Sequence, residues 1–121
     1  MCIRVVSTTS AAYSWLKSET NFNDVTWSKT PYDKKLAFAQ SKLANILFTR
    51  ELAVRTAETS VRTYCVHSGS SALDRMNDFD NNVARNIVSF AKNFFLKTEE
   101  EEAQSIIYCC VEETINNQSG R

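Results

Sequence analysis

The chain predicts an α/β fold, part of a doubly wound parallel sheet, and three observations carry that expectation. Ile3 to Thr8 (IRVVST) opens with a β-branched apolar run of strand type. A helical pattern extends from about Asp33 to Ala57, and Val61 to His67 (VRTYCVH) then repeats the strand pattern. Strand, long helix, strand in that order makes one β-α-β crossover, which pairs its strands in parallel. Such sheets normally have several strands and are covered on both faces. Two strands are too few, so residues 1–121 are expected to form the C-terminal part of one larger domain whose nucleotide-binding beginning is absent. Expressed alone, a chain with so little sheet is expected to be weakly stable.

Between the first strand and the helix, Thr9 to Pro31 breaks into Ser, Thr, Asn and Asp with scattered Tyr13, Trp15, Phe22 and Trp27. A loop of that length inside a compact domain is uncommon unless functional. Pro31 marks the start of the helix, with Asp33 favourable to its first turn. Leu36, Leu43, Leu47 and Val54 line one stripe, widened by Ala39, Ile46, Phe48 and Leu52. Thr59 and Ser60 end the helix, and a Ser/Gly turn at Ser68 to Ser71 comes after the second strand. A further helix is expected from about Asn81 to Phe95, with Val83, Ile87, Phe90 and Phe94 on one side. Thr98 and Glu101 form a T-x-x-E capping box that opens a last helix to about Ile115. The tail NNQSGR reads as a stop and a loop.

Composition removes several function classes. The 14 basic and 14 acidic residues balance, so no global charge points to nucleic acid or an anionic surface. Hydrophobic content of 43% with only two Gly and one Pro favours a folded, helix-rich chain. No apolar run approaches the roughly 20 residues that span a bilayer, and MCIRVV lacks the layout of a signal peptide. Cys2, Cys65, Cys109 and Cys110 form no C-x-x-C pair, and His67 is the lone histidine, so no zinc set is expected. Reduced, mostly buried thiols in an intracellular protein are the expectation.

The chemistry concentrates in LAFAQSKLANILFTREL, Leu36 to Leu52. Phe38 and Lys42 stand at i and i+4 on one helix face, with Ser41 just before the lysine. Taken with the NFNDV loop, the VHSG turn and FFLKT leading into an acidic helix ending in SG, this segment resembles the C-terminal half of the short-chain dehydrogenase/reductase family. Within that family it is most similar to retinol dehydrogenases. The resemblance implies a Rossmann-like fold and an NADP(H)- or NAD-dependent oxidoreductase. Its substrates would be retinol and retinal, or a similar apolar lipid alcohol and aldehyde.

By that resemblance Ser10 takes the place of the serine that hydrogen-bonds the reacting oxygen. Lys42 takes that of the lysine that holds the nicotinamide ribose and lowers the pKa of a tyrosine. His67, Ser68, Gly69 and Ser70 match the turn whose backbone lies against the nicotinamide ring. Phe38 stands at the catalytic tyrosine position and has no proton to exchange. Loss of a positioned acid/base typically costs about 10²- to 10⁴-fold in rate. Ser68 replaces a proline, and Leu73 falls near an expected phosphate-binding threonine. With Gly69 and Gly120 the only glycines, there is no glycine-rich phosphate loop.

The alternative to an enzyme fragment is a non-catalytic pseudo-enzyme or truncated product acting through binding. Cofactor binding by this chain alone is not expected. The resemblance also allows a homodimer through the long helix. Arg85, Lys92 and Lys97 beside the apolar face of residues 83–95 would permit contact with a membrane surface. The expected location is cytoplasmic, or endoplasmic reticulum membrane-associated if an N-terminal anchor belongs to the protein.

Overall fold

The structure is a computed structural model and describes residues 2–16, 20, 22–67, 69 and 98–121. Strands β1 (Ile3–Thr9) and β2 (Val61–His67) pair in parallel, in register from Ile3 opposite Val61 to Thr9 opposite His67. Helix α1 (Lys34–Arg55) is the crossover between them, and helix α2 (Glu99–Val111) comes later in the chain. The α/β class and the parallel pairing are therefore those the sequence predicts. The expected helix at 81–95 lies outside the described residues.

Consecutive strand residues point to opposite faces, and the two helices divide those faces between them. On one face, the Thr63 hydroxyl donates to the Thr49 carbonyl of α1 at 3.0 Å, with both residues buried. On the other, the Tyr64 hydroxyl donates to the Ile115 carbonyl beyond α2 at 2.9 Å. Arg4 and Arg62, partners in register, reinforce this second face. Arg4 donates to the Cys109 carbonyl and the Asn116 side chain at 3.1 and 2.8 Å, and Arg62 to the Asn116 carbonyl at 3.0 Å. The tail adds a short ladder to the outer edge of β2: Gly120 N donates to Thr63 O and Cys65 N to Arg121 O, both at 2.8 Å.

Asp33 begins α1 from outside it, as the cap and not a first-turn residue. Its carboxylate accepts from Lys35 N and Leu36 N, two donors with no carbonyl inside the helix. The expected apolar stripe is buried only in part, Ala39 fully and Leu43, Ile46 and Leu52 by half. Leu36, Leu47, Phe48 and Val54 are exposed, Val54 to 72%. The buried positions are Ala39, Gln40 and Thr49. The cause is the short distance between helix and sheet. Thr49 bonds directly to β2, and a Cβ on Gly120 would stand 3.0 Å from the Ala53 Cβ. The closest approach is therefore made by small side chains, with Leu43 and Leu52 half-buried at its margins. Gly120 is required twice, since its φ of +89° also lies in the left-handed region.

The segment after β1 is less open than a plain loop. Short 3-10 turns occupy Ala11–Trp15 and Phe22–Asp24. Asp24, buried, organises the residues up to Thr30: its carboxylate accepts from Ser28 N and Oγ, Lys29 N, and Thr30 N and Oγ1. That wrapping holds Trp27 at a φ of 55°, an unfavourable value for a bulky residue. Trp27 then packs edge-to-face on Tyr32, with ring centres 5.8 Å apart.

Helix α2 starts with the capping box read from sequence. Thr98 N donates to Glu101 Oε2 at 2.8 Å and Glu101 N to Thr98 Oγ1 at 3.2 Å. It stops at Val111, earlier than expected, because Glu112 is extended and its carboxylate accepts from Thr114 N at 2.9 Å, starting a 3-10 turn at Glu113–Ile115. The cysteines also depart from expectation. All four are free, but Cys2 and Cys110 are exposed and Cys65 and Cys109 only half-buried. Burial still pushes the Cys65 and Cys109 thiols up.

These contacts carry two measurable consequences. Burial pushes the Asp24 carboxyl up, but hydrogen bonds from Thr30, Lys29 and Ser28 outweigh it and hold it below its ordinary value. A depressed carboxyl stabilises the fold above its unfolded pKa, about 4, and that support is lost as pH falls through the lower folded value. Amide protection at Ser28, Lys29 and Thr30 should hold at neutral pH and fall below about pH 4, with Asp24→Ala abolishing it at every pH. Thr63→Val keeps the shape and removes the bond to Thr49, and should cost about 1 kcal/mol by urea unfolding.

Candidate active site

Thr9, at the end of β1, is the junction of the site. It faces His67 across the sheet, precedes Ser10, and donates from Oγ1 to the Lys42 carbonyl of α1 at 3.1 Å. One residue earlier, the Thr8 carbonyl accepts from Asn45 Nδ2 at 2.8 Å. Lys42 and Asn45, one helical turn apart, thus lie against the carboxyl ends of the strands, where open α/β sheets commonly bind ligands.

Ser10 caps the 3-10 turn after β1. Its Oγ accepts from Ala12 N at 3.3 Å, which leaves the hydroxyl proton available to another acceptor. On α1, the Lys42 ammonium sits over the Phe38 ring at 5.2 Å from its centre. The ring's electron-rich face attracts the cation. Phe38 is 46% exposed, and Ser41 turns its hydroxyl back onto the Phe38 carbonyl at 2.7 Å. No hydroxyl is therefore presented at the position of residue 38.

Beyond β2, Gly69 N donates to His67 Nδ1 at 3.0 Å, so Nε2 is the nitrogen that carries the ring proton. Gly69 has a φ of 112°, a conformation that a side chain would strain. Ser68 and Ser70 lie outside the described residues, as do Leu73 and residues 83–95. The structure thus brings Ser10 and Lys42 to one junction through Thr9 and sets His67 across from it.

Sequence reasoning singled out the groups that would touch ligand and missed Thr9 and Asn45, which hold them. A signal for Asn45 was present: an amide three residues after Lys42 in a helix interior, where asparagine is a poor helix former. Among the described residues no group of His, Cys, Asp or Glu could hold a metal ion. No described helix is long and apolar enough to cross a membrane.

Comparison with known proteins places the chain among relatives of one kind. No protein-family model matches the chain. Human retinol dehydrogenase 11 is 40% identical over 91 residues, covering 74% of this chain and 27% of that protein. Human retinol dehydrogenase 12 is 38% identical over 122 residues, and mouse retinol dehydrogenase 14 is 37% identical over 120; each match covers 98% of this chain and 35% of the relative. Among solved structures, an uncharacterised protein from Mycobacterium paratuberculosis superposes with a TM-score of 0.62 at 25% identity, over 93% of this chain and 34% of that one. The chain therefore spans about a third of the length of the relatives it matches. Its curated homologues are retinol dehydrogenases, members of the short-chain dehydrogenase/reductase family.

Proposed function

We propose that this chain is the C-terminal part of an oxidoreductase domain that interconverts retinol and retinal, or a similar lipid alcohol and aldehyde, with NADP(H), and that it is catalytically silent by itself. Support for the reaction class comes from the relatives' names and from Ser10, Lys42 and the His67–Gly69 turn converging on one end of the sheet. In that role Ser10 would donate a hydrogen bond to the substrate oxygen as charge develops on it. Lys42 would hold the hydroxyls of the cofactor ribose, and the backbone of residues 67–70 would lie along the nicotinamide. NADP(H), when bound by a complete domain, supplies the hydride.

The silence rests on one observation, the Lys42 ammonium lying over a phenylalanine ring. Hydride transfer to a carbonyl leaves an alkoxide that must gain a proton, and a benzene ring has none to give. Ser10 can stabilise that charge, but the hydrogen bond its Oγ makes among the described residues is with the Ala12 N–H, not with a base that would reload it. A second deficit is the lack of any glycine-rich turn to receive the cofactor pyrophosphate.

A binding role without catalysis has its own support. Leu36, Leu47, Phe48 and Val54 leave α1 with an exposed apolar side, which in a folded domain is normally covered. Such a side is equally what an incomplete domain would show, so the oxidoreductase-derived reading is preferred.

Fusing a family nucleotide-binding half to this chain separates the two deficits. The Phe38→Tyr fusion should reduce retinal at least about 10²-fold faster than the Phe38 fusion. Equal rates would remove the role assigned to position 38. Inactivity of both, with NADPH bound normally, would remove the assignment of the remaining site.

A further inference from the structure

The chain leaves β2 through a bond whose acceptor can turn into a donor. Gly69 N donates to His67 Nδ1 at 3.0 Å, two residues apart. Nδ1 stands one bond beyond Cγ, where asparagine has Oδ1. The contact is therefore the imidazole counterpart of an Asx turn, in which Asn or Asp accepts from the backbone two residues on. It satisfies the amide of a glycine whose φ of 112° lies in the left-handed region. Ser68 brings no ring that would fix the backbone before Gly69. Among the described residues, Gly69 N is the hydrogen-bond partner of the His67 ring.

The groups around His67 come from every neighbouring element. Thr9 of β1 faces it in register and carries no charge. Tyr13 of the turn after β1, Arg50 of α1, Cys65 of β2 and Arg121 of the tail line an open cleft with it. Lys42, also on α1, has its ammonium over the Phe38 ring. Arg121 O accepts from Cys65 N at 2.8 Å, so the terminal carboxylate lies beside Cys65. No aspartate or glutamate lines the cleft. Guanidinium groups keep their charge. Burial pushes the Cys65 thiol up, so it stays neutral over the range in which histidines change charge. His67 is exposed, so protons reach its ring from solvent.

We propose that His67 is a proton-controlled latch on the turn after β2. With Nδ1 bare, the ring accepts from Gly69 N and closes the turn. When Nδ1 takes a proton from solvent, two N–H donors face each other and the bond is lost. The latch is a property of residues 67 and 69 and needs no cofactor. Its bearing on nicotinamide contact rests on the role proposed above for that turn, and there it would make the contact weaken as the pH falls.

The test follows the 121-residue chain by NMR from about pH 8 to about pH 5, without cofactor, so its outcome is separate from that of the oxidoreductase reading. The His67 ring shifts and the Gly69 amide exchange are read in the same samples. Exchange at Gly69, corrected for its intrinsic pH dependence, should speed about fivefold with the midpoint of the His67 ring. The amide of Tyr64, buried in mid-strand, should not follow it. His67→Asn restores an acceptor that does not titrate, and should keep Gly69 protected across the range. His67→Ala should leave it unprotected throughout. Gly69 exchange indifferent to His67 protonation, an Asn variant that responds as the parent does, or an Ala variant as protected as the parent at the upper pH would each overturn the proposal.

Discussion

The close seating of α1 on the two strands is the constraint on which the rest of the molecule depends. It is made by small and polar groups: the Thr63 hydroxyl on the Thr49 carbonyl, and Gly120 against Ala53. The same seating carries the site, because Thr9 and Asn45 tie the carboxyl end of β1 to the helix turn that contains Lys42. A helix packed through leucines would ride higher on the sheet, and those two side-chain bonds to backbone carbonyls could not form. Packing and site geometry are thus one arrangement, held by the buried Thr63–Thr49 bond and by the more exposed bonds of Thr9 and Asn45.

That arrangement explains why parts of the chain were legible from sequence and others were not. Both strands were readable because β-branched runs have few other uses, and β2 has the bounds that VRTYCVH suggests. The α2 start was readable because Thr98 and Glu101 satisfy two backbone donors locally, without reference to anything distant. The facing of α1 was not. Periodicity shows that Leu36, Leu47 and Val54 share a side, but not which side meets the sheet; that depends on how closely the strands approach. The α2 end was missed for a similar reason, since Glu112 satisfies Thr114 N with its own carboxylate instead of continuing the helix.

The candidate site was legible to a different degree at each residue. Lys42 and Phe38 were expected on one face, and the ammonium over the ring is the direct consequence of their spacing. Ser10 was expected at the strand end, and its capping of the next turn is a local property of serine. Thr9 and Asn45 act across 33 and 37 residues of chain, and such pairings have no signature in a single sequence.

In the reading proposed for this chain, position 38 is that of the acid/base, and what the structure has there is the Lys42 ammonium over the Phe38 ring. The most direct measurement is NADPH oxidation in the presence of retinal by the purified chain of 121 residues. The account predicts a rate indistinguishable from buffer. A saturable rate proportional to protein concentration, persisting after further purification, would contradict it.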